Sequence, residues 1–263
     1  MKKILLADSH VHLLDARLVD CIDETMRNLE SDGLEFVVEV APSLESSKRA
    51  IELAGRYDRI YATIGIHPHY AKDFIAQQAE FETLAESTRG NRKVVAVGEC
   101  GLDYHYMHSP KEDQQNAFIV QIRLAHRLGL PLVVHSRSAY DDTLEILRKH
   151  REYLSNGVLF HCFGYCAPQV RELIEEFDAY IAFGGALTHK KKDDMVDALR
   201  ATPLNRLLLE TDCPYLAPEP VRGTCNCPRN VRYVAEFVAK ALSLPIEDVA
   251  SATLENTKRF YRI

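Results

Sequence analysis

A chain of 263 residues, of which 46% are hydrophobic and 27% charged, can bury one complete globular core. Its formal net charge of -6 excludes a chain-wide positive field that would attract nucleic acid or an anionic membrane, so any contact with nucleic acid has to be local. Seven cysteines at scattered spacings argue against a disulfide framework and fit reduced thiols.

The N-terminal segment predicts neither a leader nor a membrane anchor. The apolar run Ile4 to Ala7 follows Lys2 and Lys3 and is too short for the core of a signal peptide. Nothing later in the chain approaches the length of a membrane span. We therefore expect a cytoplasmic protein that makes no membrane contact.

Short β-branched or aliphatic runs recur along the chain and predict eight strands. The runs are Ile4 to Ala7, Phe36 to Val40, Ile60 to Ile66, Val94 to Val97, Leu130 to Val134, Val158 to Phe160, Tyr180 to Phe183 and Leu207 to Leu209. Segments with helical periodicity lie between them, so the strands are expected to pair in parallel. Eight units in 263 residues give about 33 residues each, the size of one barrel repeat. The sequence therefore predicts an α/β fold, a single (β/α)8 TIM barrel forming one domain over residues 1–263.

Polar side chains follow six of the predicted strands. They are His10 and His12, His67 and His69, Glu99, His135 and Arg137, His161, and Glu210 and Asp212. Because the carboxyl ends of barrel strands meet at one mouth, we expect these side chains to lie together. Residues i and i+2 of a strand point the same way, so His10 and His12 can act together as imidazole ligands. One histidine at a strand end is usually a hydrogen-bonded core residue. Here four strand ends supply histidine and two supply a carboxylate, and this combination favours a metal site.

The mixture of imidazole and carboxylate groups limits the metal chemistry. It suits Zn, Mn, Fe or Mg, and the lack of clustered cysteines at these ends argues against a closed structural zinc. Four strand ends that supply histidine and two that supply a carboxylate offer more than the three protein ligands of a usual catalytic zinc, so two divalent ions fit better. Glu99, on the fourth strand, is the expected bridge between them.

Six ordered motifs extend across nearly the whole chain: "DSHVHL", "GIHPH", "GECGLDY", "PLVVHSRSAYD", "HCF" and "ETDCPYLAP". On these motifs the sequence resembles the TatD family of metal-dependent hydrolases, whose best-known members are barrel-form DNases. This family is part of the wider amidohydrolase superfamily. The resemblance implies one metal held by His10, His12, Glu99 and Asp212, and a second held by Glu99, His135 and His161. It also implies that Glu210 lies near the site and that His67 faces the substrate. Leu14 and Thr202 depart from the family pattern, but neither is a predicted ligand.

Other polar residues at the mouth leave two interpretations open. Arg137 follows His135 by two residues and can bind a phosphate oxygen there, or form a structural ion pair. Arg222 lies in a stretch that matches the family, where substrate contact and a structural role are both possible. Tyr104 and Tyr106 either stack on a base or shape their loop. The lysine run at 190–192 is interpreted as a solvated charge run, with contact to a nucleic-acid backbone as the alternative.

These observations predict a two-metal hydrolase in which Asp212 and Glu99 are catalytic. Asp212 orients the attacking water or accepts its proton. The residues themselves specify hydrolysis, whereas the resemblance implies a phosphodiester bond at the end of single-stranded DNA. An amidase or lactonase with the same metals is the alternative among enzymes, and a metal-independent barrel that binds nucleic acid or protein is the alternative outside them. The predicted substrate contacts are His67, Arg137, Glu210 and Arg222, in a monomer or weak oligomer that meets DNA or another phosphodiester locally.

Overall fold

Strands and helices alternate along the chain, as the computed structural model shows for residues 4–190 and 193–263. Over these residues the strands are β1 (Leu6–Val11), β2 (Leu34–Glu39), β3 (Ile60–Ile64), β4 (Val94–Asp103), β5 (Leu132–Arg137), β6 (Val158–Phe160), β7 (Tyr180–Phe183) and β8 (Leu207–Leu209). The helices are α1 (Ile22–Asn28), α2 (Leu44–Arg56), α3 (Phe74–Ser87), α4 (Lys111–Leu128), α5 (Tyr140–Lys149), α6 (Ala167–Phe177), α7 (Asp193–Ala201), α8 (Val231–Leu242) and α9 (Ile246–Tyr261). Lys191 and Lys192, of the predicted charge run, lie outside the described residues.

All eight strands belong to one sheet in the order β1 to β8. The strands pair in parallel wherever their register is defined. The chain just beyond β8 returns to β1, where Val11 and Cys213 form a parallel bridge and the Asp212 N–H donates to the His10 carbonyl at 3.0 Å. Parallel strands in chain order with alternating helices are the (β/α)8 TIM-barrel fold, so the predicted fold class is confirmed.

Internal contacts divide the described chain into two compact units. The central unit comprises residues 40–160 and carries β3 to β6, whereas the terminal unit comprises 4–39 with 161–262 and carries the other four strands. None of the described helices is both long and apolar enough to cross a bilayer. The single domain expected over 1–263 stays a prediction.

Helix α4 positions two site-bearing segments of the central unit. Phe118 and Ile122, four residues apart, are fully buried on its inner face, as their helical spacing predicts. Two glutamines on the same face replace apolar contacts with hydrogen bonds. Gln114 Oε1 accepts the N–H of Asp103 at 2.8 Å, and Gln121 Oε1 accepts the N–H of Ile66 at 2.7 Å. The helix therefore holds both the end of β4 and the segment after β3.

Strand β4 is longer than the predicted run Val94 to Val97, and it ends at Asp103. Its second half pairs with β5, with Gly101 opposite His135 and Asp103 opposite Arg137. The apolar pattern does not show this extension because glycine and acidic residues are rare in strands. As a result, Glu99 lies within a strand rather than after one.

In the terminal unit, a buried carboxylate joins β1 to the residues that follow β8. Asp8 accepts hydrogen bonds from the Thr211 N–H at 2.8 Å and from the Thr211 hydroxyl at 2.5 Å. Burial raises the pKa of Asp8 well above its usual value, although the bonds from Thr211 oppose that rise. These contacts fix the start of the segment that contains Asp212.

Candidate metal centre

Two histidines at the end of β1 face an aspartate beyond β8. His10 is buried in β1, and His12 follows the strand directly. Their Nε2 atoms lie 3.8 Å and 3.3 Å from Oδ1 of Asp212, for His10 and His12 respectively. The family resemblance implies that all three are ligands of one metal, and the terminal unit brings them together.

Another histidine and another carboxylate of the terminal unit surround His10. The rings of His10 and His161 stack with their centroids 4.0 Å apart and 15° between their planes. Nδ1 of His161 lies 3.6 Å from Oε1 of Glu210. Donor atoms of these three residues all lie within 4.8 Å of one another. Glu210, expected near the site and as a substrate contact, lies at a distance from which it can share an ion with the two histidines.

Glu210 is a fully buried carboxylate that is only partly satisfied by hydrogen bonds. Its Oε1 accepts the N–H of Cys162 at 2.7 Å, whereas Oε2 has no hydrogen-bond partner among the described residues. A buried carboxylate oxygen without a donor is costly, and a cation would stabilise it. This burial favours a place beside the metal ligands over direct contact with a substrate.

The loop that carries His12 is held by a carboxylate at the end of β2. Oε2 of Glu39 accepts the N–H of Leu13 at 2.6 Å, and Oε1 accepts the N–H of Leu14 at 3.2 Å. Glu39 itself is buried. Charged acceptors make short, strong bonds to backbone N–H groups, so Glu39 fixes the direction in which the chain leaves β1.

In the central unit, β4 and β5 bring a carboxylate against a histidine. Oε1 of Glu99 lies 2.8 Å from Nδ1 of His135 and 3.5 Å from Nε2 of His67. The donor atoms of the three residues lie within 4.8 Å of one another. Glu99 and His135 are predicted ligands of the same metal, and the structure places them in contact. His67, expected to face the substrate, belongs to the same group.

One hydrogen bond of His67 constrains the tautomer of its neutral form. Its Nδ1 accepts the N–H of His69 at 3.1 Å. A neutral imidazole with an accepting Nδ1 carries its proton on Nε2. His67 can therefore donate from Nε2, the atom that lies on the side of Glu99, to an anionic oxygen.

Asp103, at the end of β4, supplies a second carboxylate to the central unit. Its Oδ2 lies 3.0 Å from Nε2 of His69 and 3.3 Å from Nε2 of His135. Its Oδ1 accepts the N–H groups of His105 and Tyr106, each at 2.9 Å. His135 therefore has a carboxylate at each of its two ring nitrogens, which fixes the orientation of its ring.

Two site aspartates, one in each unit, are held in their ionised form. Burial raises the pKa of Asp212, but the hydrogen bond with His12 and the neighbouring imidazoles outweigh burial and lower the pKa below its usual value. Burial also raises the pKa of Asp103, and the hydrogen bonds with His135 and a second histidine lower it well below its usual range. Both residues are carboxylates at neutral pH, the form that binds cations.

The donor sets in both units fit divalent cations. Each contains imidazole nitrogens and carboxylate oxygens at mutual distances that one ion can bridge, and neither contains a cysteine. Such sets suit Zn, Mn or Fe, and they exclude a closed thiolate site. The buried oxygen of Glu210 that lacks a donor among the described residues is independent support for a cation in the terminal unit.

Arg137 ends β5 with its guanidinium over an aromatic ring. Its Cζ lies 4.7 Å from the centroid of the Tyr106 ring. The side chain is exposed, and it forms no ion pair within the part of the chain that the structure describes. The stacked guanidinium keeps its planar donors available to an anion, whereas the structural ion pair considered above is not formed there.

Two other residues of the predicted mouth have local partners. Nη1 of Arg222 lies 3.1 Å from Oε1 of Glu219, in an exposed ion pair. The Tyr104 hydroxyl donates to Asp142 at 2.7 Å, and the Nζ of Lys111 lies 3.9 Å from the centroid of the Tyr104 ring. Tyr104 therefore shapes its loop, and the substrate contact of Arg222 stays a prediction.

Two residues that position the site, Asp103 and Glu39, are not among the predicted site residues. Asp103 stands four residues after Glu99 in the motif "GECGLDY", and an even spacing along a strand is the signal that puts both side chains on one face. Glu39 lies inside the predicted run Phe36 to Val40, where a carboxylate among buried apolar residues indicates a hydrogen-bonding role.

Comparison with known proteins agrees with these observations. Residues 7–262 match the family model described as TatD related DNase. The chain is 37% identical to the uncharacterized metal-dependent hydrolase YabD of Bacillus subtilis, over 98% of this chain and 100% of that protein. It is 36% identical to the uncharacterized metal-dependent hydrolase YcfH of Escherichia coli K12, over 99% of this chain and 97% of that protein. The crystal structure of YjjV, a TatD homologue from Escherichia coli K12, superposes with a TM-score of 0.89 at 27% identity and covers 98% of both chains. The chain therefore belongs to the TatD-related DNase family of metal-dependent hydrolases.

Proposed function

We propose that this protein is a two-metal phosphodiesterase that removes nucleotides from an end of single-stranded DNA. The observation that carries the proposal is the presence of two clusters of histidines and carboxylates, one cluster in each unit. Both clusters lie at the carboxyl ends of parallel strands. Membership of a family described as DNases supports DNA as the substrate.

Six side chains are proposed to hold two divalent ions. His10, His12, Glu99 and Asp212 hold one ion, and Glu99, His135 and His161 hold the other. This assignment rests on the family motifs and on the rule that the strand ends of a barrel meet at one mouth. Zn, Mg, Mn and Fe are the candidates. Bound ions of this kind supply Lewis-acid polarisation and a nucleophilic water at neutral pH.

Asp212 is proposed to orient the attacking water and to receive its proton. Its Oδ1 lies 3.3 Å from Nε2 of His12, whereas Oδ2 forms no hydrogen bond within the described residues. The lowered pKa keeps this carboxylate ionised, which is the form that can accept a proton. Glu99 holds His135 in place through their hydrogen bond and is proposed to bridge the ions.

The proposed substrate contacts are His67, Arg137 and Arg222. His67 donates from Nε2 to a phosphate oxygen, and Arg137 offers its guanidinium to the negative charge of the phosphodiester. Glu210, which is buried against His161, is proposed to act through that histidine rather than by touching the substrate. Arg222 lies on an exposed loop and is proposed to meet the DNA backbone.

The decisive experiment compares substrates on one metal-defined preparation. Protein stripped with a chelator is reloaded separately with Zn, Mg, Mn or Fe and incubated with end-labelled single-stranded DNA, an aryl phosphodiester, a lactone and an amide. We expect stepwise shortening of the DNA from one end with at least one metal, and none without metal. Turnover of the lactone or amide alone would instead indicate an amidohydrolase-type enzyme. DNA binding without cleavage under every metal, or full cleavage by the stripped protein, would refute the proposal.

A further inference from the structure

An arginine, an aspartate and a tyrosine form a compact group in the terminal unit. Nε and Nη2 of Arg17 donate to the two oxygens of Asp15 at 2.8 Å and 2.9 Å. Cζ of Arg17 lies 4.4 Å from the centroid of the Tyr215 ring, and the Tyr215 hydroxyl donates to Asp15 at 3.3 Å. One edge and one face of the guanidinium are therefore fixed.

Backbone turns tie this group to two predicted metal ligands. The Asp15 N–H donates to the His12 carbonyl at 3.1 Å, and the Tyr215 N–H donates to the Asp212 carbonyl at 2.9 Å. The Tyr215 ring also approaches the ring of His12 edge-on, with centroids 6.0 Å apart. Arg17 is consequently held at a defined place beside the candidate metal centre, although it stands five residues beyond His12 in the sequence.

The fixed guanidinium still has donors to offer. A guanidinium carries five N–H donors, and the contacts with Asp15 use two of them. Nη1 forms no hydrogen bond within the described residues, and the Arg17 side chain is 48% exposed. Asp15 balances the charge of Arg17, but the N–H donors that remain, held in place beside the metal ligands, are suited to bind an anion.

We propose that Arg17 binds a non-scissile phosphate of the single-stranded substrate, with Asp15 and Tyr215 as its positioning residues. The inference rests on the proposed nuclease function and adds to it a contact outside the bond that is cleaved. Contacts to the phosphate backbone set the register of a nucleic acid on a protein. Arg17 therefore favours a substrate with a phosphate next to the scissile one over a compact aryl phosphodiester.

The test measures binding and cleavage by Arg17→Ala and Arg17→Gln. Binding of a fluorescent oligothymidylate in chelator, titrated with salt, should weaken by about tenfold in Arg17→Ala, and the slope of log affinity against log salt should fall by about 0.7. In the metal-loaded enzyme, the ratio of kcat/KM for the oligonucleotide to that for the aryl phosphodiester should fall. In a further series, each oligonucleotide carries one neutral methylphosphonate linkage. Wild type and Arg17→Ala should bind with equal affinity when that linkage stands at one particular position, and with different affinities when it stands elsewhere.

The matched control is Arg232→Ala, which removes an arginine from an exposed pair with Glu236 on α8. It should bind and cleave DNA like the wild type. A folded Arg17→Ala protein with unchanged affinity and salt slope, or the same loss in the control, would overturn the role of Arg17. A wild-type protein that neither binds nor cleaves DNA would overturn the nuclease function itself, so the two failures are distinguishable. Arg17→Gln keeps a long polar side chain and provides the measurement if Arg17→Ala does not fold.

Discussion

Nδ1 of His135 lies 2.8 Å from Oε1 of Glu99, so the predicted bridging carboxylate also positions a predicted ligand. A substitution at Glu99 therefore acts on two groups at once, whereas Asp212 contacts the histidines of the terminal unit. Replacing each of the two carboxylates by its amide is therefore expected to impair different properties of the enzyme.

We predict that Glu99→Gln loses metal and Asp212→Asn loses mainly turnover. The first variant removes the proposed bridge and weakens the hold on His135, so the occupancy of both ions should fall. The second keeps an oxygen ligand but loses the proton acceptor, so kcat should fall by about 10²–10⁴-fold while more metal is retained. Metal analysis by mass spectrometry beside steady-state kinetics compares them. A fully active Asp212→Asn enzyme would show that Asp212 is not the proton acceptor.

Gly101 is a position where a side chain cannot be accommodated. Its φ is +131°, and a Cβ atom there would lie 2.1 Å from the carbonyl oxygen of His135. We expect Gly101→Ala to lower the free energy of unfolding by about 2 kcal/mol or more and to reduce metal content, because β5 has to move. Urea unfolding followed by circular dichroism measures the first effect.

Gly55→Ala is the matched control for this prediction. Gly55 lies in α2, and nothing lies within 4 Å of the position that its Cβ would take. Alanine there should leave stability unchanged or raise it by about 0.5–1 kcal/mol. Equal effects of the two substitutions would contradict the packing argument for Gly101.

The sequence predicts the strands of this fold well and their functional ends less completely. Parallel strands that are covered on both faces consist of continuous apolar residues, so β6, β7 and β8 begin and end at the predicted residues. Strand β4 departs from that pattern, because it continues past Val97 through Gly98, Glu99 and Gly101, which carry no apolar side chain. The contact of Arg17 with Tyr215 joins residues far apart in the chain, and no local pattern encodes it.

Asp15 is predicted to stabilise the protein in a pH-dependent way. The hydrogen bond from Arg17 lowers the pKa of Asp15 far below its usual range, although burial opposes the shift. A carboxyl group whose pKa is lowered on folding stabilises the native state above its unfolded pKa of about 3.9, and this stabilisation is lost as the pH falls through the lower native value. Asp15→Asn should therefore cost about 0.5–1 kcal/mol at pH 7 and less as the pH falls below about 4.

Unfolding titrations at pH 7 and at acidic pH test this dependence. Asp197→Asn is the control, because Asp197 forms a more exposed ion pair with Arg200 on α7. The control should have a smaller effect at pH 7. A cost of Asp15→Asn that is the same at both pH values would show that the charge of Asp15 does not stabilise the fold.

Arg137→Ala is predicted to distinguish an enzyme that hydrolyses phosphodiesters from one that hydrolyses carbonyl substrates. The stacked guanidinium of Arg137 has no evident task in the hydrolysis of a neutral lactone. A phosphodiester brings a negative charge, so loss of a charge-assisted hydrogen bond of about 1.5–3 kcal/mol should lower kcat/KM for DNA or aryl phosphodiesters by roughly tenfold to a hundredfold. Arg137→Lys should recover only part of this loss, because it lacks the bidentate fork.

The metal content of both Arg137 variants should stay near that of the wild type, since Arg137 is not a proposed ligand. Kinetics on the two substrate classes, with metal analysis of the same samples, make the comparison. Tyr106→Phe is a useful companion, because it keeps the ring under the guanidinium and should preserve activity if stacking alone positions Arg137. A folded, metal-replete Arg137→Ala enzyme that cleaves phosphodiesters at the wild-type rate would leave Arg137 with a structural role, and the preference for phosphate would then rest on family membership alone.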